Sequence, residues 1–123
     1  MKKLKLALLG FGNAGQAFCR LLLEKTEEIK NTYETEVIVT AIATSSKGNI
    51  YDPEGMNPAE ALEDVSETGK FTARHRLTEM NTMEIAENAD YDVLVEMTPL
   101  NIFTGQPAAD HIRAAFRRQK HAI

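Results

Sequence analysis

Three glycines near the start of the chain, Gly10, Gly12 and Gly15, have the spacing G-x-G-x-x-G. An apolar run at residues 6–9 precedes them, and a segment with helical periodicity follows. Between a strand and a helix, this pattern is the fingerprint of a loop that binds the pyrophosphate of a dinucleotide. The first glycine permits a tight turn, the second admits the phosphates, and the third lets the helix pack on the strand. The unpaired N–H groups of the helix's first turn then favour a bound anion.

The same glycines fit two other interpretations. The loop could be a tight strand-to-helix connection that binds no ligand. The spacing of Gly10 and Gly15 also matches a P-loop, but Gln16 and Ala17 stand where that motif needs Lys and Ser/Thr to reach phosphates and magnesium. The sequence therefore disfavours a nucleotide triphosphatase. The residues that we expect to bind a dinucleotide here are Gly10, Phe11, Gly12, Asn13, Ala14 and Gly15.

A second candidate segment, Thr44-Ser45-Ser46-Lys47, follows the next apolar run. NAD-specific sites place an acidic residue about 20 residues beyond the glycines, where it holds the ribose hydroxyls. No acid occurs in this segment, whereas hydroxyls and a lysine can bind a 2′-phosphate. The segment favours NADP, or tolerance of both NADP and NAD, although it could also be only a solvated turn.

A third candidate segment, Met97-Thr98-Pro99, ends the apolar run at residues 91–97. Ligands of open α/β sheets bind outside the carboxyl ends of the strands, so we expect this segment to face the same crevice as the glycines. Glu96 could be a site residue or a structural carboxylate. The three histidines and Cys19 have no metal-ligand spacing, so we predict no metal, and no Ser or Cys lies in a nucleophile motif.

The composition is typical of one globular domain: 123 residues, of which 43% are hydrophobic and 26% charged. The net charge of −4 gives no electrostatic support to a nucleic-acid partner. No apolar run approaches the ~20 residues of a membrane span, and the N-terminus does not fit a signal peptide. The single cysteine, Cys19, fits a reducing compartment and a small buried side chain. We therefore expect a cytoplasmic protein.

The periodicity predicts an α/β fold with a Rossmann-type doubly wound, mostly parallel sheet and helices on both faces. The predicted strands are residues 3–9, 36–44, 71–77 and 91–97, with a further strand starting at 121–123. The predicted helices are residues 14–30, 58–66 (capped by Asn57), 82–88, and one beginning near 104–107. Residues 48–55 are predicted to be a loop. The buried face of the first helix is predicted to be Ala14, Phe18, Leu21, Leu22 and Ile29, and that of the last helix Ala108, Ile112, Ala115 and Phe116.

Four segments together resemble the N-terminal part of homoserine dehydrogenase. They are GFGNAGQAFCRLL at 10–22, AIATSSKG at 41–48, YDPEG at 51–55 and VLVEMTPLNIFTGQPAADHIRAAF at 93–116. The glycine loop is common to many dehydrogenases, but E-x-T-P-x-N-x-x-T-G at 96–105 is far more specific. The resemblance implies a domain that binds NADP or NAD in an enzyme that interconverts L-aspartate 4-semialdehyde and L-homoserine, for threonine and methionine biosynthesis.

The resemblance also implies what these 123 residues do not carry. In that family the strand after Lys120-His121 continues into a T-x-N-K-G-P motif with the catalytic lysine, and a second domain binds the substrate and forms the dimer. We therefore expect a cofactor domain with an incomplete sheet at its C-terminus, no catalytic residue of its own and no activity alone. Two alternatives remain open: a stand-alone NAD(P)-sensing module, and the cofactor domain of a related aspartate-pathway dehydrogenase. An unfinished sheet edge argues against the sensing module.

Overall fold

The computed structural model describes all 123 residues and contains a six-stranded sheet flanked by four helices. The strands are β1 Lys2–Leu9, β2 Thr35–Ala43, β3 Asn49–Met56, β4 Leu77–Thr78, β5 Val93–Glu96 and β6 His121–Ala122. The helices are α1 Asn13–Tyr33, α2 Pro58–Thr68, α3 Thr82–Asn88 and α4 Ala108–Arg117. None of these helices is both long and apolar enough to cross a membrane.

The strand order is β4-β3-β2-β1-β5-β6, so β1 lies inside the sheet. It pairs in parallel with β2 on one side and with β5 on the other, and β5 pairs in parallel with β6. The strands β3 and β4 extend the other edge in antiparallel pairing. The carboxyl ends of β1, β2 and β5 therefore lie side by side, and the loops that follow them share one edge of the sheet.

Alternate residues of β1 enter two different hydrophobic cores because successive strand residues point to opposite faces of the sheet. Leu6 and Leu8 pack on one face, with the apolar sides of α1 and α2. Ala7 and Leu9 pack on the other face, with α3 and α4. This arrangement confirms the predicted Rossmann-type, mostly parallel sheet with helices on both faces.

The prediction of a loop at residues 48–55 is wrong, because most of this segment forms β3. Its pairing with β2 shifts register between Val39 and Ala41. Asp52 nevertheless makes a local turn contact, since its Oδ1 accepts a hydrogen bond from the Glu54 N–H at 3.0 Å. The turn residues thus lie within an irregular stretch of a strand.

The prediction of a strand at residues 71–77 is also wrong. Only Leu77–Thr78 pairs as a strand, and the segment before it is a turn in which the His75 N–H donates to the Thr72 carbonyl at 3.1 Å. Phe71 is buried, and its ring lies 5.4 Å from that of Phe11. The apolar signal of Phe71 therefore reflects core packing rather than strand pairing.

The predicted helices are confirmed with changes at their ends and faces. Asn57 caps α2 as predicted, its side chain accepting from the Ala59 N–H, and α3 has the predicted bounds. The buried residues of α1 are Gly15 and Cys19, whereas Ala14 and Leu21 are exposed. In α4 the buried residues are His111, Ala114 and Ala115, and the predicted core residue Phe116 is 60% exposed.

Candidate functional site

Gly10 lies where β1 turns toward α1 and has a φ of +101°, a conformation that favours glycine. Its N–H donates to the Ala43 carbonyl of β2 at 2.7 Å, and next to it the Met97 N–H donates to the Leu9 carbonyl at 2.7 Å. A Cβ added to Gly10 would lie 2.5 Å from the Met97 carbonyl oxygen. The glycine therefore lets three strand ends close around the loop.

The other two glycines differ sharply in their surroundings. A Cβ on Gly15 would lie 2.6 Å from the Gly10 carbonyl oxygen, so this glycine sets the close packing of helix on loop. A Cβ on Gly12 would have no atom within 4 Å. The space above Gly12 is thus open to a ligand, as the fingerprint requires.

The N-terminus of α1 can receive an anion. No side chain caps the helix at Gly12, and no acidic residue lies in its first turn. Gln16 orders the loop, because its side-chain Nε2 donates to the Phe11 carbonyl at 2.9 Å and its N–H donates to the Gly12 carbonyl at 2.9 Å. The N–H groups before Gln16 and the helix dipole together favour a phosphate there.

The turn after β2 is closed by its own hydrogen bonds. Thr44 Oγ1 donates to the Gly48 carbonyl at 3.0 Å and accepts from the Lys47 N–H at 2.8 Å. The Lys47 carbonyl accepts from the Phe71 N–H at 2.9 Å, which ties the turn to the loop after α2. The side chains of Ser45, Ser46 and Lys47 make no hydrogen bond or ion pair within the chain. Two hydroxyls and one ammonium are thus available to an anionic group.

At the end of β5, Thr98 is bound to Glu96. The Thr98 N–H donates to Glu96 Oε1 at 3.0 Å, and the Thr98 hydroxyl donates to the same oxygen. The other oxygen, Oε2, lies 2.7 Å from His111 Nδ1. Burial alone would raise the pKa of Glu96, but the hydrogen bonds from His111 and Thr98 outweigh it and lower the pKa. Glu96 is therefore a buried carboxylate that holds the Thr98 segment.

These segments surround one cavity of about 540 Å³ at the carboxyl edge of the sheet. Twelve of the thirteen residues expected to bind a dinucleotide line it; Gly15 lies under the loop. Two further lining residues, Thr82 and Pro107, were missed by sequence reasoning. The lining residues are Gly10, Phe11, Gly12, Asn13, Ala14, Thr44, Ser45, Ser46, Lys47, Thr82, Met97, Thr98, Pro99 and Pro107.

Thr82 and Pro107 carry no local motif that would mark them as site residues. Thr82 follows Asn81, the N-cap of α3, and its hydroxyl lies 2.9 Å from His111 Nε2. Only the packing of α3 on α4 brings Thr82 and His111 together. The sequence alone contains no pattern that predicts this contact.

The cavity matches a dinucleotide in its chemistry. Backbone N–H groups at an uncapped helix, an open glycine and a free lysine suit phosphates, and residues 97–99 border them on the side of β5. No group of three or more His, Cys, Asp or Glu residues is placed to hold a metal ion.

Comparison with known proteins finds similar segments in two dehydrogenases. The chain is 36% identical over 117 residues to homoserine dehydrogenase of Methanocaldococcus jannaschii. The aligned region covers 94% of this chain and 34% of that protein. The chain is thus similar to part of a homoserine dehydrogenase. It is also 33% identical over 108 residues to a glutamate dehydrogenase of Aeropyrum pernix, covering 88% of this chain and 23% of that protein. No family model matches the chain.

Solved homoserine dehydrogenase structures share the fold. A protein from Archaeoglobus fulgidus assigned to this enzyme family superposes with a TM-score of 0.76 at 34% identity, over 97% of this chain and 33% of that chain. A hyperthermophilic archaeal homoserine dehydrogenase in complex with NADPH superposes with a TM-score of 0.79 at 20% identity. The superposition covers 98% of this chain and 34% of that chain. The chain thus spans about a third of the length of the homoserine dehydrogenases that it matches.

Proposed function

We propose that residues 1–123 are the NAD(P)-binding domain of a homoserine dehydrogenase-like oxidoreductase. The observation that carries this proposal is the single cavity bordered by the glycine loop, the turn 44–47 and residues 97–99. The relationship to homoserine dehydrogenases and the NADPH bound by a structural neighbour support it. When bound, the nicotinamide cofactor supplies hydride transfer, and the residues of this chain bind and orient it.

The pyrophosphate of the cofactor is expected to lie over Gly12 at the start of α1. The glycine leaves room for it, and the helix N-terminus supplies N–H donors and a favourable dipole. Gln16 fixes the loop through its bond to the Phe11 carbonyl, so the donors are held in place before the ligand arrives. Asn13 and Ala14 border the same space.

Lys47 and the two serines before it favour NADP over NAD. Their side chains are free of internal partners, and the turn that carries them contains no acid to repel a 2′-phosphate. Charge-assisted bonds from an ammonium and hydroxyls to a phosphate are stronger than neutral ones. We therefore propose NADPH as the preferred ligand, with NADH bound more weakly.

For the whole enzyme we propose interconversion of L-aspartate 4-semialdehyde and L-homoserine in threonine and methionine biosynthesis, in the cytoplasm. The groups that bind the substrate and move its proton are assigned to residues outside these 123. This assignment rests on the similarity to homoserine dehydrogenases, of whose length this chain spans about a third. The chain alone is expected to bind cofactor without turning over substrate.

The test is a calorimetric titration of the 123-residue protein with NADPH and with NADH. We expect NADPH to bind more tightly, and Lys47→Ala to bring its affinity close to that of NADH. Lys3→Ala is the matched control, since Lys3 lies at the amino end of β1, away from the cavity, and the charge change is the same. Failure of the folded wild type to bind either cofactor would contradict the proposal.

The glutamate dehydrogenase of Aeropyrum pernix supports a second candidate, the cofactor domain of another amino-acid dehydrogenase. A chimera can separate the two candidates. This chain would replace the homologous third of the Methanocaldococcus jannaschii homoserine dehydrogenase. NADPH-dependent reduction of aspartate semialdehyde by the chimera, lost in a Gly12→Ala version, would support the first candidate. A folded chimera that binds NADPH without that activity would favour the second.

A further inference from the structure

A series of hydrogen-bonded side chains connects the cavity wall to the buried interior behind it. Thr82 Oγ1 lies 2.9 Å from His111 Nε2, and His111 Nδ1 lies 2.7 Å from Glu96 Oε2. The side chains of His111 and Glu96 are only 2% and 6% exposed, whereas Thr82 lies on the cavity wall. A hydroxyl, an imidazole and a carboxylate are thus linked in series from α3 through α4 to β5.

The hydrogen-bonding options along this series are restricted. The Glu96 carboxylate can only accept, so His111 Nδ1 must donate to it and Thr98 must direct both its N–H and its hydroxyl hydrogen to it. Thr98, which lines the cavity, is therefore left with only acceptor groups to offer a ligand. His111 Nε2 occupies one of the bonding positions of the Thr82 hydroxyl and so fixes its direction, leaving the other positions to a ligand.

We propose that the Thr82 hydroxyl is a direct hydrogen-bonding contact of the bound dinucleotide, and that His111 and Glu96 are positioning residues that hold it. This inference rests on the proposed function, because it assigns a further contact in the same cavity. It assigns a ligand contact to a residue that lies outside both the glycine loop and the turn at residues 44–47.

The chemistry of this wall indicates which part of the ligand it contacts. Glu96 places a negative charge behind it, and Thr98 offers only acceptors, so a phosphate is disfavoured here. The opposite charge preference holds at the uncapped start of α1 and at Lys47. The wall formed by Thr82 and Thr98 suits an uncharged group with N–H or O–H donors, such as a ribose hydroxyl or a carboxamide.

The experiment compares Thr82→Val with Thr82→Ser in titrations with NADPH and with inorganic pyrophosphate. Valine keeps the shape of threonine but removes the hydroxyl, whereas serine keeps the hydroxyl. We expect Thr82→Val to weaken NADPH binding by about threefold to tenfold, the effect of one lost hydrogen bond between uncharged groups. Thr82→Ser should bind within twofold of wild type, and pyrophosphate should bind equally to all three proteins.

The outcomes separate this inference from the proposed function. A wild type that does not bind NADPH overturns the proposed function. A wild type that binds, with a folded Thr82→Val protein of unchanged affinity, overturns only the role of Thr82. Weaker pyrophosphate binding by Thr82→Val would show a general disturbance of the cavity and would also overturn it.

A double-mutant cycle with His111→Gln tests the positioning role. If His111 acts through Thr82, the substitution weakens NADPH binding in the wild type but has no further effect in the Thr82→Val background. A purely structural role would lower affinity by the same factor in both backgrounds, and that additivity would overturn the positioning role. Thermal melts identify variants that fail to fold. If His111→Gln fails to fold, Glu96→Gln replaces it in the cycle. Glu96→Gln is then expected to weaken NADPH binding in the wild type but not in the Thr82→Val background.

Discussion

The Met97 carbonyl oxygen lies so close to Gly10 that a Cβ at residue 10 would be 2.5 Å away from it. The contact is between two backbone segments, one at the end of β1 and one at the end of β5, and neither can move aside independently. It couples the glycine loop to the strand that carries Glu96. The loop is therefore a structural junction as well as a candidate ligand site.

Gly10→Ala is expected to destabilise the folded protein. The substitution adds both a clash with the Met97 carbonyl and an unfavourable φ of +101° for a residue with a side chain. Strained backbone positions of this kind cost about 1–3 kcal/mol each. Urea denaturation followed by circular dichroism measures the loss, and an unfolding free energy equal to that of wild type would contradict the structure at this point.

Gly12→Ala is expected to affect ligand binding more than stability. No atom lies within 4 Å of the added Cβ, so the expected cost in the free energy of unfolding is only that of alanine at the N-cap of α1, about 1 kcal/mol. The methyl group would occupy the space proposed for the pyrophosphate, so NADPH affinity should fall by tenfold or more. Calorimetry and urea denaturation on the same sample measure both quantities. Undiminished NADPH binding would place the pyrophosphate elsewhere.

The buried Glu96 carboxylate makes stability depend on acid pH. Its pKa is lower in the folded protein than its ordinary value of 4.5, so its stabilising contribution is complete above about pH 4.5. The contribution is then lost as the pH falls through the folded pKa. The free energy of unfolding should therefore fall below pH 4.5, and Glu96→Gln should reduce the slope in that range.

The pH experiment needs two comparisons. The pKa of Asp64 is also lowered: its burial opposes the shift, but hydrogen bonds from Thr72 and Arg74 and the nearby His75 outweigh it. Some acid dependence should therefore remain in Glu96→Gln. Glu24→Gln, on the exposed face of α1, controls for the change in net charge. An identical pH slope in Glu96→Gln and wild type would contradict the assigned role of Glu96.

Cys19 is expected to be unreactive in the native state. It is fully buried on the core-facing side of α1, and burial raises the pKa of its thiol to about 12. At pH 8 a disulfide reagent should label it only at the rate at which the protein unfolds, because the thiolate is the reactive form. In urea, the unfolded protein should expose this thiol, and its labelling should become fast. Rapid labelling in native buffer would show that the α1 face opens.

The glycine loop and the turn after β2 were predictable because their signals are local. Gly10 needs its positive φ, Gly12 needs open space, and a run of turn residues after β2 needs no distant partner. Asn57 and Pro58 likewise marked the start of α2 through local cap chemistry. Sequence reasoning is strongest where one short segment specifies its own conformation.

The strand β3 was not predictable in the same way. Its segment Asp52-Pro53-Glu54-Gly55 has turn chemistry, and Asp52 does make a turn bond to Glu54. Pairing with β2 nevertheless holds this segment in the sheet with a register shift. Gly55 fits there because it has no Cβ, which would lie 2.5 Å from Ile38 Cγ2. Tertiary pairing outweighed the local preference.

The series from Thr82 to Glu96 was hidden for a related reason. Thr82 and His111 are 29 positions apart, and His111 and Glu96 are 15 apart. No periodicity or motif connects them, since only the packing of α3, α4 and β5 does so. Arg118, at the C-terminal end of α4, shows the same limit: its side chain donates to the Ala86 and Ala89 carbonyls across the interface with α3, and nothing in the local sequence indicates this contact.

The closed turn after β2 has an evolutionary consequence. Its internal bonds use the Thr44 hydroxyl, the Asn49 side chain and backbone groups, and none of them uses the side chains at positions 45–47. Those three positions can therefore exchange residues without changing the path of the chain. If these side chains contact the 2′-phosphate as proposed, a lineage can alter its choice between phosphorylated and unphosphorylated cofactors by point substitution, while selection for folding acts on the neighbouring residues.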